Sequence, residues 1–410
     1  MSSIVFIEMP AFGHVNPTLP VAQELVRRGE HVTCYATEEF RSQIEQTGAT
    51  FQAYPAKVLT STDIAIATQS NDLTRVVSLI LRATESLLPV LLGELPRRQP
   101  DVIVLDSNAL WGHMAAKLLK LPTVSLMTTF MLSSAQLRQL SLREWLRMLL
   151  PMLPNIPSVV SRRSRLIRGF GASAFPQRPA FPARGDLNIA FIPRELQPDN
   201  PLVDQTFRFV GPSINPQARR GDISFEGLGT EPVVYISLGT LHVGSADFFR
   251  QCFGAFSDVP AQFILSVGKQ TDIQALGKMP ANFIVRSSVP QLDVLQRAAV
   301  FITHGGMNSV LEGLYYGVAL ILIPQQAEQL MIGLYVAAQG AGLVLREHVA
   351  GQRITSGELR HSLERIMAEP RYREAAGVLQ QSLRASGGYR QAADEIQAFI
   401  AEGAYEQAQK

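Results

Sequence analysis

The chain has 410 residues, 46% of them hydrophobic and only 18% charged, which excludes a disordered chain and exceeds what one ordinary core serves, so two domains are expected. Lys+Arg 37 against Asp+Glu 35 leave a formal charge of +2, which excludes nucleic-acid recognition by bulk charge. The two cysteines, Cys34 and Cys252, form no CxxC pair, so neither a zinc site nor a redox motif is indicated.

Near the N-terminus Val5 to Glu8 reads as a buried strand, "NPTLPVAQELVRRG" as a helix and "HVTCYAT" as the next strand, a βαβ unit. Asn16 suits an N-cap, Pro17 the first helical position and Gly29 a left-handed C-terminal residue. His14 is then expected in the loop at a strand's carboxyl end. Glu8 and Pro10 interrupt the apolar run a secretory leader would need, and the unpaired cysteines suit a reducing compartment, so a cytoplasmic location is expected. No stretch reads as the roughly 18 to 20 apolar residues of a membrane span, and no stable membrane association is expected.

"DVIVLDSNALWGHMAAKLLKLPTVSL" repeats the pattern of strand, loop, helix and strand, with Asp106 at a second strand end. From Leu150 to Pro182 prolines and the basic run "SRRSRLIRGF" break the regularity, and a loop with short helices is expected. The Gly- and Pro-rich stretch around 212–231 reads as a linker between a domain over 1–211 and another over 232–385.

The second half supplies short apolar strands in "VVYISLGT", "QFILSVG", "NFIVRSS", "VFITHGG", "ALILIP" and "GLVLRE", hence a second parallel sheet. Thr355 and Glu358 have capping-box spacing, and a final helix lies within 386–410. The fold class is α/β, two Rossmann-like halves. Ligands in such sheets collect at the carboxyl ends of the strands, where His14, Asp106, Thr240 and His304 fall.

In "THGGMNS" a strand ends, Gly305 and Gly306 allow close backbone approach, and a helix start offers unpaired N–H groups. Asn308 and Ser309 add side-chain partners. A phosphate or diphosphate suits that seat.

The run "VPQLDVLQRAAVFITHGGMNSVLEGLYYGVALILIPQQAEQ" resembles the donor-site signature of the UDP-glycosyltransferase superfamily, and "GHVNP" resembles its bacterial macrolide-glycosyltransferase branch. The resemblance implies the GT-B arrangement, two Rossmann-like domains facing across a cleft, with the last helix returning to the N-terminal domain. It places Val289 and Gln291 at the base and ribose of a nucleotide sugar, and His304, Gly306, Asn308 and Ser309 at its diphosphate. Glu312 would accept from ribose hydroxyls. By the same resemblance Gly239 and Thr240 would form a second phosphate-contacting turn, and Glu328 with Gln329 would hold the sugar's hydroxyls. Ser288 stands where many relatives carry an aromatic residue, so uridine and thymidine donors both stay open.

With that resemblance His14 becomes a general base toward an acceptor hydroxyl, oriented by Asp106. Phe12 and Phe130, next to strand ends, are candidates for the acceptor pocket. The implied activity is an inverting O-glycosyltransferase with no metal and no bound cofactor. It would move a hexose, glucose from UDP-glucose, to a hydrophobic hydroxylated acceptor such as a macrolide, flavonoid or other polyphenol. A monomer or weak dimer is expected. The same architecture would also serve a nucleotide-sugar epimerase or a catalytically silent nucleotide-sugar-binding protein.

Overall fold

The computed structural model describes residues 1–56, 58–69, 72–131, 138, 140–176, 181–217, 230–239, 246–268, 271–346, 349 and 353–408. They form two compact units: Met1–Leu137 with Leu149–Ile214 and Ser386–Lys410, and Arg138–Met148 with Asn215–Ala385. The short segment Arg138–Met148 departs from the expected 1–211 block. Its Glu144 receives the Arg346 guanidinium at 2.9 and 3.0 Å, a buried carboxylate held by a residue of the second unit. Most of the expected linker 212–231 lies outside the described residues.

In the first unit β1 (Ser3–Ile7), β2 (His31–Ala36), β3 (Thr50–Ala53), β4 (Val102–Asp106), β5 (Thr123–Met127), β6 (Leu187–Ala190) and β7 (Phe207–Phe209) make one parallel sheet. Its order is β3-β2-β1-β4-β5-β6-β7. Both faces are covered, which is why β1 and β4 are almost wholly apolar. Alternation along the strands sends Val5, Ile7, Ile103 and Leu105 into one core and Ile4, Phe6, Val102 and Val104 into the other. The second core also takes Ala392, Ala393 and Ile396 of the helix Gly388–Ala408, so the chain's last helix belongs to the first unit. Arg28 binds Asp394 at 2.6 Å and Arg208 binds Glu395 at 3.0 Å along that helix.

The second unit holds β8 (Val233–Ser237), β9 (Gln262–Ser266), β10 (Phe283–Arg286), β11 (Ala298–Thr303), β12 (Ala319–Leu322) and β13 (Gly342–Val344). They too are all parallel, in the order β10-β9-β8-β11-β12-β13. Thr355 and Glu358 form the capping box expected of them.

Three local expectations are corrected. The first helix runs Phe12–Arg27 after an extended Ala11, so Asn16 is not its cap and His14 sits in its first turn. The opening N–H groups of a helix need no intrahelical acceptor, so a turn can precede Pro17 with the loss of one ladder bond, that to Gly13. The stretch expected to be irregular contains the helix Ile156–Phe170. Its Val159, Leu166, Ile167 and Phe170 pack into the core beside the helix Leu73–Arg98, and Pro157 falls near its start, where proline is tolerated. That helix Leu73–Arg98 is, by length and composition, apolar enough to cross a membrane. Leu79, Leu81, Leu87, Leu88, Leu91 and Leu95 are buried in the unit's core, which accounts for its apolar side.

Candidate active site

In the first unit, β1 and β4 are neighbours with Ile7 opposite Leu105, so the residues that follow them emerge side by side. His14, in the first turn of the helix after β1, places Nδ1 2.7 Å from Oδ2 of Asp106, the last residue of β4. The other carboxylate oxygen, Oδ1, accepts the Asn108 N–H at 2.8 Å. The Asp106 side chain has no solvent exposure, while 24% of the His14 side chain remains accessible. A buried carboxylate on Nδ1 fixes the ring's tautomer and stabilises an imidazolium. Nε2 is then the nitrogen positioned to take a proton.

Glu8, directly after β1, was given no role by sequence reasoning. It is 2% exposed and accepts from the Thr18 hydroxyl at 2.7 Å through Oε1, whereas Oε2 has no partner. Burial pushes its carboxyl well above the ordinary range, against the Thr18 hydrogen bond, and the Asp106 charge adds to the push. The raised pKa favours the protonated form of Glu8. An acid ending the apolar run "IVFIE" was the available signal. His113 is buried and pushed down to about 4, a neutral structural imidazole, consistent with the absence of any role for it.

The two aromatic candidates differ. Phe12 turns its ring onto Phe40, centroids 5.0 Å apart, and packs against the core. Phe130 lies buried just past the end of β5.

In the second unit β11 leads through His304, Gly305 and Gly306 into the helix Met307–Tyr315. Gly306 is extended at the N-cap and, as a glycine, makes no side-chain cap hydrogen bond. Space explains two of the glycines. A β-carbon on Gly239 would stand 2.7 Å from Cε1 of His304, and one on Gly306 would stand 2.5 Å from its Nε2. The turn after β8 and the start of the helix therefore hold the imidazole between them. Asn308 and Ser309, half-buried, lie in the helix's first turn.

Gln291 donates through Nε2 to Oε2 of the buried Glu312 at 2.7 Å, and the Tyr235 hydroxyl donates to Oε1 of Gln291 at 3.2 Å. These three form a line that orients the Glu312 carboxylate; Tyr235 was missed because a tyrosine in an apolar strand reads as core. Val289 is half-buried nearby in sequence, and Ser288 and Arg286 are exposed. Glu328 is exposed in the first turn of the helix Ala327–Ala338, while Gln329 is buried and accepts the Gln325 N–H at 2.8 Å. Gly305 lies against the Gln329 carbonyl, where a β-carbon would come within 3.2 Å. Thr240 lies outside the described residues. Among the described residues no group of three or more His, Cys, Asp or Glu is arranged to hold a metal ion.

The chain as a whole is similar to known proteins. The family model for UDP-glucoronosyl and UDP-glucosyl transferase matches residues 211–383. The chain is similar to the uncharacterized UDP-glucosyltransferase YojK of Bacillus subtilis, 33% identical over 97% of each chain. It is 32% identical to the NDP-glycosyltransferase YjiC of the same organism, over 98% of this chain and 99% of that one. Among solved structures, the glycotransferase of kitacinnamycin superposes with a TM-score of 0.79 at 27% identity, covering 97% of this chain and 98% of that one. The two parallel-sheet α/β units are the fold of that structure.

Proposed function

The chain belongs to the UDP-glycosyltransferase superfamily, and on that premise we propose that this glycosyltransferase moves a hexose, glucose from UDP-glucose, to a hydroxyl of a hydrophobic small molecule. Macrolides, flavonoids and other polyphenols are the acceptor class. The observation that carries the reading is the His14–Asp106 pair, a partly exposed imidazole on a buried carboxylate at 2.7 Å.

The acceptor hydroxyl gives its proton to His14 Nε2 as its oxygen bonds to the anomeric carbon. The bond from that carbon to the nucleoside diphosphate breaks, and the diphosphate leaves with the electron pair. One displacement inverts the anomeric centre. General-base help of this kind supplies about 10²- to 10⁴-fold. Charge gathering on the leaving diphosphate is met by the N-terminal start of the helix Met307–Tyr315, with Asn308, Ser309 and His304 beside it. That positive helix end supports a reaction without a metal. Glu312, oriented by Gln291, takes the ribose hydroxyls, and Glu328 with Gln329 the sugar's.

Mass spectrometry of the purified protein with phenolic and macrolide acceptors, offering UDP-glucose and TDP-glucose separately, tests the proposal. A gain of one hexose on an acceptor is expected, with UDP-glucose as donor. Isomerised sugar nucleotide without any acceptor would replace the proposal with an epimerase. Donor binding with neither transfer nor isomerisation would replace it with a silent binder.

A further inference from the structure

The segment that follows Leu149 exposes an apolar row that contains none of the residues assigned above to the transfer reaction. Leu150 is 57% exposed, Leu153 58%, Ile156 43% and Val160 56%. The first two lie in the 3₁₀ turn Leu150–Asn155, where residues three apart eclipse. The other two lie four apart in the helix Ile156–Phe170 and so share a side of it. A single line of large aliphatic side chains results. It lies beside Val159, Leu166 and Phe170, which pack into the core and anchor the helix. Leu73, 58% exposed, neighbours it, because Asn155 bonds Asp72 at 2.5 Å.

The same helix carries Arg162, Arg163, Arg165 and Arg168 and no acidic residue. Glu85 neutralises only part of this, binding Arg162 at 2.8 Å and Arg165 at 3.0 Å. Arg163 lies over the Phe175 ring at 5.1 Å, and Arg168 donates to the Ser164 carbonyl of its own helix. Among the described residues no carboxylate pairs with either. A chain with a net charge of only +2 thus concentrates uncompensated guanidinium groups at the end of an open apolar row.

Apolar side chains that enter an acyl boundary, next to arginines that meet anionic headgroups, are the makings of an interfacial helix. We propose that the face formed by Leu150, Leu153, Ile156, Val160, Arg163 and Arg168 docks reversibly on an anionic membrane surface. Charge complementarity selects this occupant over a second copy of the chain, whose identical face would set arginine against arginine. Such docking bears on the expectation of no stable membrane association: it is peripheral, salt-sensitive and independent of the transfer chemistry.

Co-sedimentation of the full chain with phosphatidylcholine vesicles, and with vesicles of phosphatidylcholine mixed with phosphatidylglycerol, tests it. Binding is expected to the mixed vesicles only, and to weaken at high salt. Arg163→Glu with Arg168→Glu should weaken it by about 25-fold or more, at about fivefold per charge removed. Leu153→Ser with Val160→Ser should weaken it by about tenfold. Both pairs are exposed, and equal melting temperatures would show intact folding; Arg163→Gln with Arg168→Gln repeats the charge test with less perturbation. Equal binding to both vesicle types, or wild-type binding by both variants, would overturn the proposal. So would a concentration-dependent dimer abolished by the Leu153/Val160 variant without any vesicle binding. A raised KM for a soluble acceptor in that variant, with vesicle binding unchanged, would assign the row to the acceptor instead.

Discussion

Gly239 and His304 occupy each other's space: a β-carbon on the glycine would stand 2.7 Å from the imidazole, and the glycine's φ of +81° is one that side chains rarely adopt. The turn after β8 and the turn after β11 are therefore fitted together through one ring. Gly239→Ala should displace His304, cost about 1–2 kcal/mol of stability and weaken nucleotide-sugar binding by about tenfold or more. Titration calorimetry with UDP-glucose beside a melting curve checks both, and unchanged affinity would detach His304 from the donor.

His14→Ala should lower kcat by about 10²- to 10⁴-fold with nucleotide binding nearly intact. Asp106→Asn, which removes the charge that stabilises the imidazolium, should fall in the same direction and shift the pH–rate profile. Wild-type turnover in His14→Ala would remove His14 as the base.

Tyr235→Phe deletes the hydroxyl that donates to Gln291, and through it loosens Glu312. A neutral hydrogen bond contributes about 0.5–1.5 kcal/mol, so KM for the donor should rise by about two- to tenfold while kcat holds. A fall in kcat alone would place Tyr235 elsewhere in the mechanism.

Glu8 makes the stability pH-dependent. Its folded pKa is raised, so the native state keeps a proton that the unfolded chain releases above the ordinary value of 4.5. Stability is therefore lost as pH rises from that value toward the folded pKa. Glu8→Gln keeps an acceptor for Thr18 and cannot ionise. Its melting temperature should gain on the wild type as pH rises above about 5, and a difference that does not change with pH would show that the Glu8 pKa is not raised in the folded state.

Activity should survive excess EDTA, because the helix start at Met307 meets the diphosphate charge in the proposed mechanism. Loss that magnesium or manganese restores would refute this.

Much of the site was legible because its signals are local. Strand, glycine turn and helix start follow one another within "FITHGGMNS", and a parallel α/β sheet brings strand ends to one edge whatever the packing details. The His14–Asp106 pairing was implied by the resemblance rather than by local signals; the structure brings the two together because β1 and β4 are neighbours in the sheet. The raised pKa of Glu8, the turn of Phe12 onto Phe40 and the hydrogen-bonded line from Tyr235 to Glu312 were not readable. Each depends on which atoms of distant segments surround a side chain. So does the start of the first helix at Phe12, where a local reading of Asn16 and Pro17 as cap and first residue yielded to the tertiary fold. The helix Ile156–Phe170 makes the same point: the prolines in and before it argue for a loop, and the packing of Val159, Leu166 and Phe170 against the core favours the helix. By itself the sequence determined the two parallel-sheet units and the strand-end residues of the site, since apolar periodicity and turn chemistry act over a few residues. Tertiary structure decided protonation, side-chain direction and which apolar faces stay open, because burial and electrostatics are set by neighbours the chain supplies from far along its length.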